Sequence, residues 1–144
     1  MEANFTVKVV CDGGCLGNGS DNAKAYGSFA IVRKNGAEIL SSRTDQFPEL
    51  STNNAAELMA ALKALEAIQQ KIESAGVANP HDVAVTVFTD SALVVGYFHY
   101  KKPWQRKEPT LRQIAARIDL QKTAFKSCFF VKMDERKVKA ILGH

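Results

Sequence analysis

Residues 5–14 read Phe-Thr-Val-Lys-Val-Val-Cys-Asp-Gly-Gly, and the fold turns on this stretch. Phe5, Val7, Val9 and Cys11 alternate with more polar neighbours, the period of a strand with one face buried. That strand runs into Asp12-Gly13-Gly14, where a turn is expected, and a loop rich in Gly, Asn and Ser follows from Cys15 to Lys24. Tyr26 to Arg33 reads as a second strand. Asn35-Gly36 tolerates positive φ at both residues and marks a hairpin, from which Ala37 to Arg43 returns as a third strand.

Outward from this opening, the pattern changes period. Ser51 to Asn54 offers several helix N-caps. Leu58, Leu62, Leu65, Ile68 and Ile72 then recur at helical spacing through an Ala- and Leu-rich run from Ala55 to Ile72. Gly76 to Asp82, with Pro80, breaks it. Val83, Val85 and Val87 mark a fourth strand that ends at Thr89-Asp90-Ser91, and a short helix is expected over Ser91 to Phe98. Thr110 is the expected cap of a helix faced by Leu111, Ile114, Ile118 and Phe125. Ser127 to Met133 reads as a fifth strand, and Asp134 caps a last short helix. The order is β-β-β-α-β-α-α-β-α. Hairpins imply antiparallel pairing of the early strands. Helical crossovers imply parallel pairing of the later ones. The product is an α/β domain built on a mixed sheet.

Composition bounds the function. The chain has 144 residues, 46% hydrophobic and 24% charged, enough for one domain with its own core. No stretch approaches the ~20 apolar residues of a membrane helix. The first residues lack the basic and apolar regions of a secretory leader. Cys11, Cys15 and Cys128 are odd in number and not spaced for a metal, which suits a reducing, cytoplasmic setting. The net charge is +4. Between His99 and Arg112 five basic residues (Lys101, Lys102, Arg106, Lys107, Arg112) face one acid, Glu108, and Trp104 sits among them. Such a stretch is either a solvated loop or a contact to a polyanion.

Three acids stand at telling places. Asp12 and Asp90 each close a strand, and parallel neighbours deliver both to the sheet edge where α/β proteins bind ligands. Glu57 lies in the first turns of the long helix, one residue off its apolar face. Each alone is an ordinary turn former or helix-dipole partner. Together with their flanks they say more. Asp12-Gly13-Gly14-Cys15-Leu16-Gly17-Asn18, Thr52-Asn53-Asn54-Ala55-Ala56-Glu57-Leu58 and Thr89-Asp90-Ser91 resemble, in order and in element, the motifs of type 1 ribonuclease H.

The resemblance implies a ribonuclease H-like fold over residues 1–144: a five-stranded mixed sheet, its first three strands antiparallel, with helices on both faces. It implies an endonuclease that hydrolyses the RNA strand of RNA–DNA hybrids with two divalent ions, magnesium or manganese, held by Asp12, Glu57 and Asp90. Hard carboxylate oxygens suit these ions, and a cation relieves the mutual repulsion of clustered acids. Asn18, Asn53 and Asn54 resemble the family's minor-groove contacts, where a 2′-hydroxyl distinguishes RNA from DNA. Thr52 resembles a phosphate contact. Lys101, Lys102, Arg106 and Lys107 are expected along the backbone of the hybrid, and Trp104 either stacks there or packs.

Two departures stand out. The short stretch after Asp90 lacks the extra basic helix of some bacterial members and resembles the compact branch of archaea, plants and some bacteria. The family's fourth acid, on the last helix, is missing. His144 is the expected replacement, through its ring or a terminal carboxylate, with a shuttle role or a merely terminal position as the alternatives. A monomer is expected. The competing readings are a hybrid-binding module with weak catalysis and another nuclease of the same fold, a resolvase or an exonuclease.

Overall fold

A computed structural model of the chain describes residues 5–32, 38–76 and 78–143. Five strands form one sheet: β1 (Phe5–Leu16), β2 (Lys24–Val32), β3 (Ile39–Phe47), β4 (Val83–Thr89) and β5 (Ser127–Lys132). Their spatial order is β3-β2-β1-β4-β5. β1–β2 and β2–β3 are antiparallel, and β1–β4 and β4–β5 are parallel. Among the described residues four α-helices, α1 (Asn53–Ala75), α2 (Ala92–Tyr97), α3 (Pro109–Lys122) and α4 (Glu135–Leu142), and one 3-10 turn at Pro80–Asp82 complete the fold.

Strand alternation sorts the core into two layers. Val9, Cys11, Phe29, Ile31, Val83, Val85 and Val87 share one core cluster with α1 and α3. On the other face Val10, Ala30 and Val32 enclose Val138 of α4. Helices therefore cover both faces, as expected. α1 is long because Leu58, Leu62, Leu65 and Ile68 keep one face apolar, while the interleaved Ala60, Ala61, Ala64 and Ala67 let it lie close to its neighbours. The Thr52 hydroxyl accepts from the Ala55 N–H at 3.3 Å at its start, and Gly76 at φ 67° closes it.

Three local readings need correction. β1 does not turn at Gly13-Gly14 but runs on to Leu16, pairing Gly13 with Gly27 and Gly14 with Tyr26. Asp12 thus lies within the strand and Cys15 belongs to it. The reversal falls instead at Gly17 and Gly19, whose φ of 67° and 78° are left-handed. β3 lies later than expected, at Ile39–Phe47, because it is an edge strand whose polar residues face water and whose last residue, Phe47, drops into the core. α3 is capped by Glu108, not Thr110: the Glu108 carboxylate accepts from the Thr110 N–H at 3.1 Å and the Leu111 N–H at 2.7 Å. Pro109 has no N–H to offer and fits the first helical position. The Asn35-Gly36 hairpin lies outside the described residues, between strands that do pair antiparallel.

Candidate active site

Register brings two of the acids together. The last paired positions of β1 and β4 are Val10 and Phe88, and two residues beyond each come Asp12 and Asp90. Glu57 arrives from α1, the second residue after Ala55. What lets it come near is Gly13. A β-carbon there would overlap the carbonyl group of Ala56 and stand 2.5 Å from the Glu57 nitrogen. Helix backbone therefore lies directly on strand backbone at this point, and one carboxylate oxygen from each of Asp12, Glu57 and Asp90 lies within 4.8 Å of the others.

The surroundings of the three acids are polar and fixed. The buried Thr89 hydroxyl accepts from the Ser91 N–H at 3.1 Å, and the Ser91 hydroxyl accepts from the Val94 N–H at 3.1 Å, capping α2. Ser91 also hydrogen-bonds Glu57. Burial pushes the Glu57 carboxyl up to about 7; Ser91 opposes that rise, and the negative charges of Asp90 and Asp12 add to it. Burial first, then the charges of Asp12, Glu57 and Asp90, raise the Cys11 thiol far above its ordinary range, so it is an inert core residue. Three hard oxygen donors with mutually repelling charges fit a divalent cation.

The asparagine segment is clamped to the β1–β2 turn. The Asn53 N–H donates to Asn18 Oδ1 at 2.8 Å, and the Gly19 N–H donates to the Ser51 carbonyl at 2.6 Å. Thr52, Asn53 and Asn54 are exposed beside it. Capping and exposure coexist here.

In the basic stretch the residues divide. The Lys101 and Lys102 N–H groups donate to His99 Nδ1 at 3.2 and 3.1 Å, while both residues remain exposed, as does Lys107. Arg106 is drawn into the fold: it pairs with Asp119 at 2.5 Å, donates to the Tyr97 carbonyl at 3.0 Å and lies over the Phe98 ring. The Trp104 ring covers Gly96 and is still 53% exposed. His144 lies outside the described residues.

Sequence reasoning missed three contributors. Ser91 reads as the start of a short helix, and nothing in the sequence ties it to Glu57. Gly13 reads as a turn former. Lys139 of α4 belongs to no motif, yet its pKa is raised by the hydrogen bond and charge of Glu135 and then, more weakly, by Asp12 and Asp90.

Known proteins are similar to this chain to different extents. Ribonuclease H of Nitratidesulfovibrio vulgaris is 37% identical over 106 residues, 72% of this chain and 56% of that protein. Ribonuclease H of Neorickettsia sennetsu is 33% identical over 101 residues, 69% of this chain and 56% of that protein. The chain thus spans little more than half the length of the curated relatives it matches. LC11-RNase H1, solved in complex with an RNA/DNA hybrid, superposes with a TM-score of 0.78 at 26% identity, covering 94% of this chain and 90% of that one. RNase H1 of the halophilic archaeon Halobacterium salinarum shares the fold at a TM-score of 0.75 and 22% identity, covering 96% and 95% of the two chains. The family model for RNase H matches residues 4–144. With that match spanning the acids, the asparagine segment and the last helix alike, the chain belongs to the ribonuclease H family.

Proposed function

We propose that this chain is an endonuclease that hydrolyses the RNA strand of RNA–DNA hybrids with the help of divalent cations. The observation that carries the proposal is the meeting of Asp12, Glu57 and Asp90 within 4.8 Å. A pure binding module has no use for three repelling carboxylates in one place, and the asparagine segment beside them argues against a resolvase or exonuclease.

Asp12, Glu57 and Asp90 are the proposed ligands of two ions, magnesium or manganese. When bound, such ions supply an ionised water at neutral pH and positive charge for the departing oxygen. The chain's own part is to hold and orient. Ser91 fixes the Glu57 carboxylate from one side, and the rigid Thr89–Ser91 turn holds Asp90. Asn53 and Asn54, with the Nδ2 group of Asn18, offer amides to base edges and 2′-hydroxyls. Thr52 is a proposed phosphate contact. Lys101, Lys102 and Lys107 track the backbone with Trp104 available for stacking, and Arg106 sets the shape of that loop. His144 is a proposed fourth group at the site. The protein is proposed to act as a monomer in the cytoplasm. Among the described residues no helix is long and apolar enough to cross a membrane.

The test is cleavage of end-labelled RNA–DNA hybrid, double-stranded RNA and double-stranded DNA, with magnesium, with manganese and with chelator. Metal-dependent cleavage of the hybrid alone is expected. Cleavage of double-stranded DNA, or none in any metal, overturns the proposal.

A further inference from the structure

Two aromatic rings stand in water at one edge of the sheet. Tyr100, just past α2, is 73% exposed, and Phe129 of the edge strand β5 is 52% exposed. They meet edge to face, with centroids 6.4 Å apart and planes at 88°. Tyr100 is held from two further sides. The His99 ring is fixed by accepting from the Lys101 and Lys102 N–H groups, and Tyr100 stacks on it at 5.4 Å with planes 12° apart. Lys101 Nζ lies 5.5 Å from the Tyr100 centroid. Ring surface left in water gains little in folding, and its ordering points to use by a partner. Tyr100 and Phe129 also rim a depression of about 230 Å³ lined by the buried Phe98, which stacks on Phe130 at 4.6 Å. That is smaller than the ~300–1,000 Å³ of pockets for drug-sized ligands, and it suits one flat ring. The Lys122 ammonium lies 5.2 Å from the Phe98 centroid. Among the described residues that line the depression the acid is Asp119, and Arg106 already pairs with it. The surroundings are therefore basic. Phe129 pairs with Thr86, four residues before Asp90, so the rings lie about 13 Å along β4 from the acids.

We infer that Tyr100 and Phe129 form a stacking site for an unpaired nucleotide, so that the chain binds single-stranded nucleic acid, including a single-stranded extension of a hybrid. The inference deepens the reading above, in which the substrate is a nucleic acid. Every base has a flat face that stacks on an aromatic ring, and the phosphates on either side of it need cations. Lys101 and Lys102, the next two residues, supply them. The lysine stem is long and flexible, so the Lys101 ammonium passes from the Tyr100 ring to a phosphate without moving the backbone. A duplex keeps its bases stacked on one another, so the two rings have nothing to offer a blunt hybrid. The other occupant that fits an edge strand is a strand from a second copy, added along β5. A second copy brings the same lysines up against themselves, whereas a nucleic acid brings phosphates. Charge complementarity therefore favours the nucleic acid.

Fluorescence anisotropy of a labelled oligothymidylate with the intact chain, in chelator, tests this without relying on turnover. Wild type is expected to bind it. Tyr100→Ala is expected to raise the dissociation constant about five- to a hundredfold, the range for loss of one stacked base. Tyr100→Trp, which keeps a ring, is expected to stay within about twofold of wild type. Phe129→Thr is expected to weaken binding in the same direction as Tyr100→Ala. A hybrid with a single-stranded extension should bind wild type more tightly than a blunt one, and Tyr100→Ala should erase that difference while cutting blunt hybrid at the wild-type rate. Oligothymidylate binding that is absent in wild type, or unchanged in both Tyr100→Ala and Phe129→Thr, overturns the inference and leaves the nuclease reading standing. Slower cutting of blunt hybrid by Tyr100→Ala also overturns it, because the ring then supports the fold of the loop. A wild-type dimer in sedimentation that Tyr100→Ala dissociates overturns it in favour of a second copy. Oligothymidylate binding through Tyr100 in a chain that cuts no hybrid upholds the stacking site and overturns the nuclease reading.

Discussion

Glu57 gives up its proton only near pH 7, because its carboxyl is half sunk against strand backbone and faces two other acids. An unfolded chain ionises the same group near its ordinary value of 4.5. Between those two values the native state holds more protons than the unfolded state. Its stability therefore falls as pH rises through this window; the contribution of this one group is full below about 4.5 and gone above about 7. In chelator, the thermal midpoint of wild type is expected to decline from pH 4.5 to 7 more steeply than that of Glu57→Gln. Equal slopes would show that burial imposes no such cost. Asp90→Asn removes a charge and an oxygen donor with almost no change in volume. Hybrid cleavage is expected to drop at least about a hundredfold, while the ion-free midpoint stays level or rises as repulsion is relieved. Activity assays paired with melting curves check both halves. At this scale the three acids were legible because each carries a distinctive flank. Ser91 and Gly13 were not, since their roles arise only where separate elements touch.

At the scale of elements, the contact between α1 and β1 does most to define the site. Gly13→Ala puts a methyl group into the Ala56 carbonyl, and strand and helix must separate. Overpacking of this kind costs about 1–3 kcal/mol. Activity is expected to fall more than stability alone accounts for, because the separation moves Glu57 away from Asp12 and Asp90. Denaturant unfolding with a metal titration distinguishes the two effects, and full activity in Gly13→Ala would refute the role. The helices and strands themselves were readable from period, down to the Asp134 cap. Their ends were harder. β1 outlasts its own alternation because β2 continues to pair with it, and β3 has no alternation to read because most of its residues face water. Glu108 reads as a charge in a basic loop, and only Pro109 after it hints at a helix start.

For the whole molecule, charge is distributed unevenly. Lys101, Lys102 and Lys107 stand exposed on the segment between α2 and α3, while Arg106 is committed to Asp119. Replacing the three lysines with Gln is expected to weaken hybrid binding and to reduce the slope of log K against log salt by about 0.9 for each phosphate that no longer has a cation beside it. The positions of cleavage should not change. A slope equal to wild type would make the segment a bystander.

The sheet order carries one more consequence, in time rather than space. β1 is made first yet lies in the middle, with β2 on one side and β4 on the other. A growing chain that has reached Ala75 can already form the β1–β2–β3 meander under α1. In that state Asp12 and Glu57 lack Asp90, and one edge of β1 is bare. The pairing of β1 with β4 spans nearly eighty residues of sequence and closes late, as contacts of long separation do. In pulse-labelled refolding, amides of β2 and β3 are expected to gain protection before those of β4 and β5. The three-acid cluster is therefore completed last, after the asparagine segment at the start of α1 is already in place.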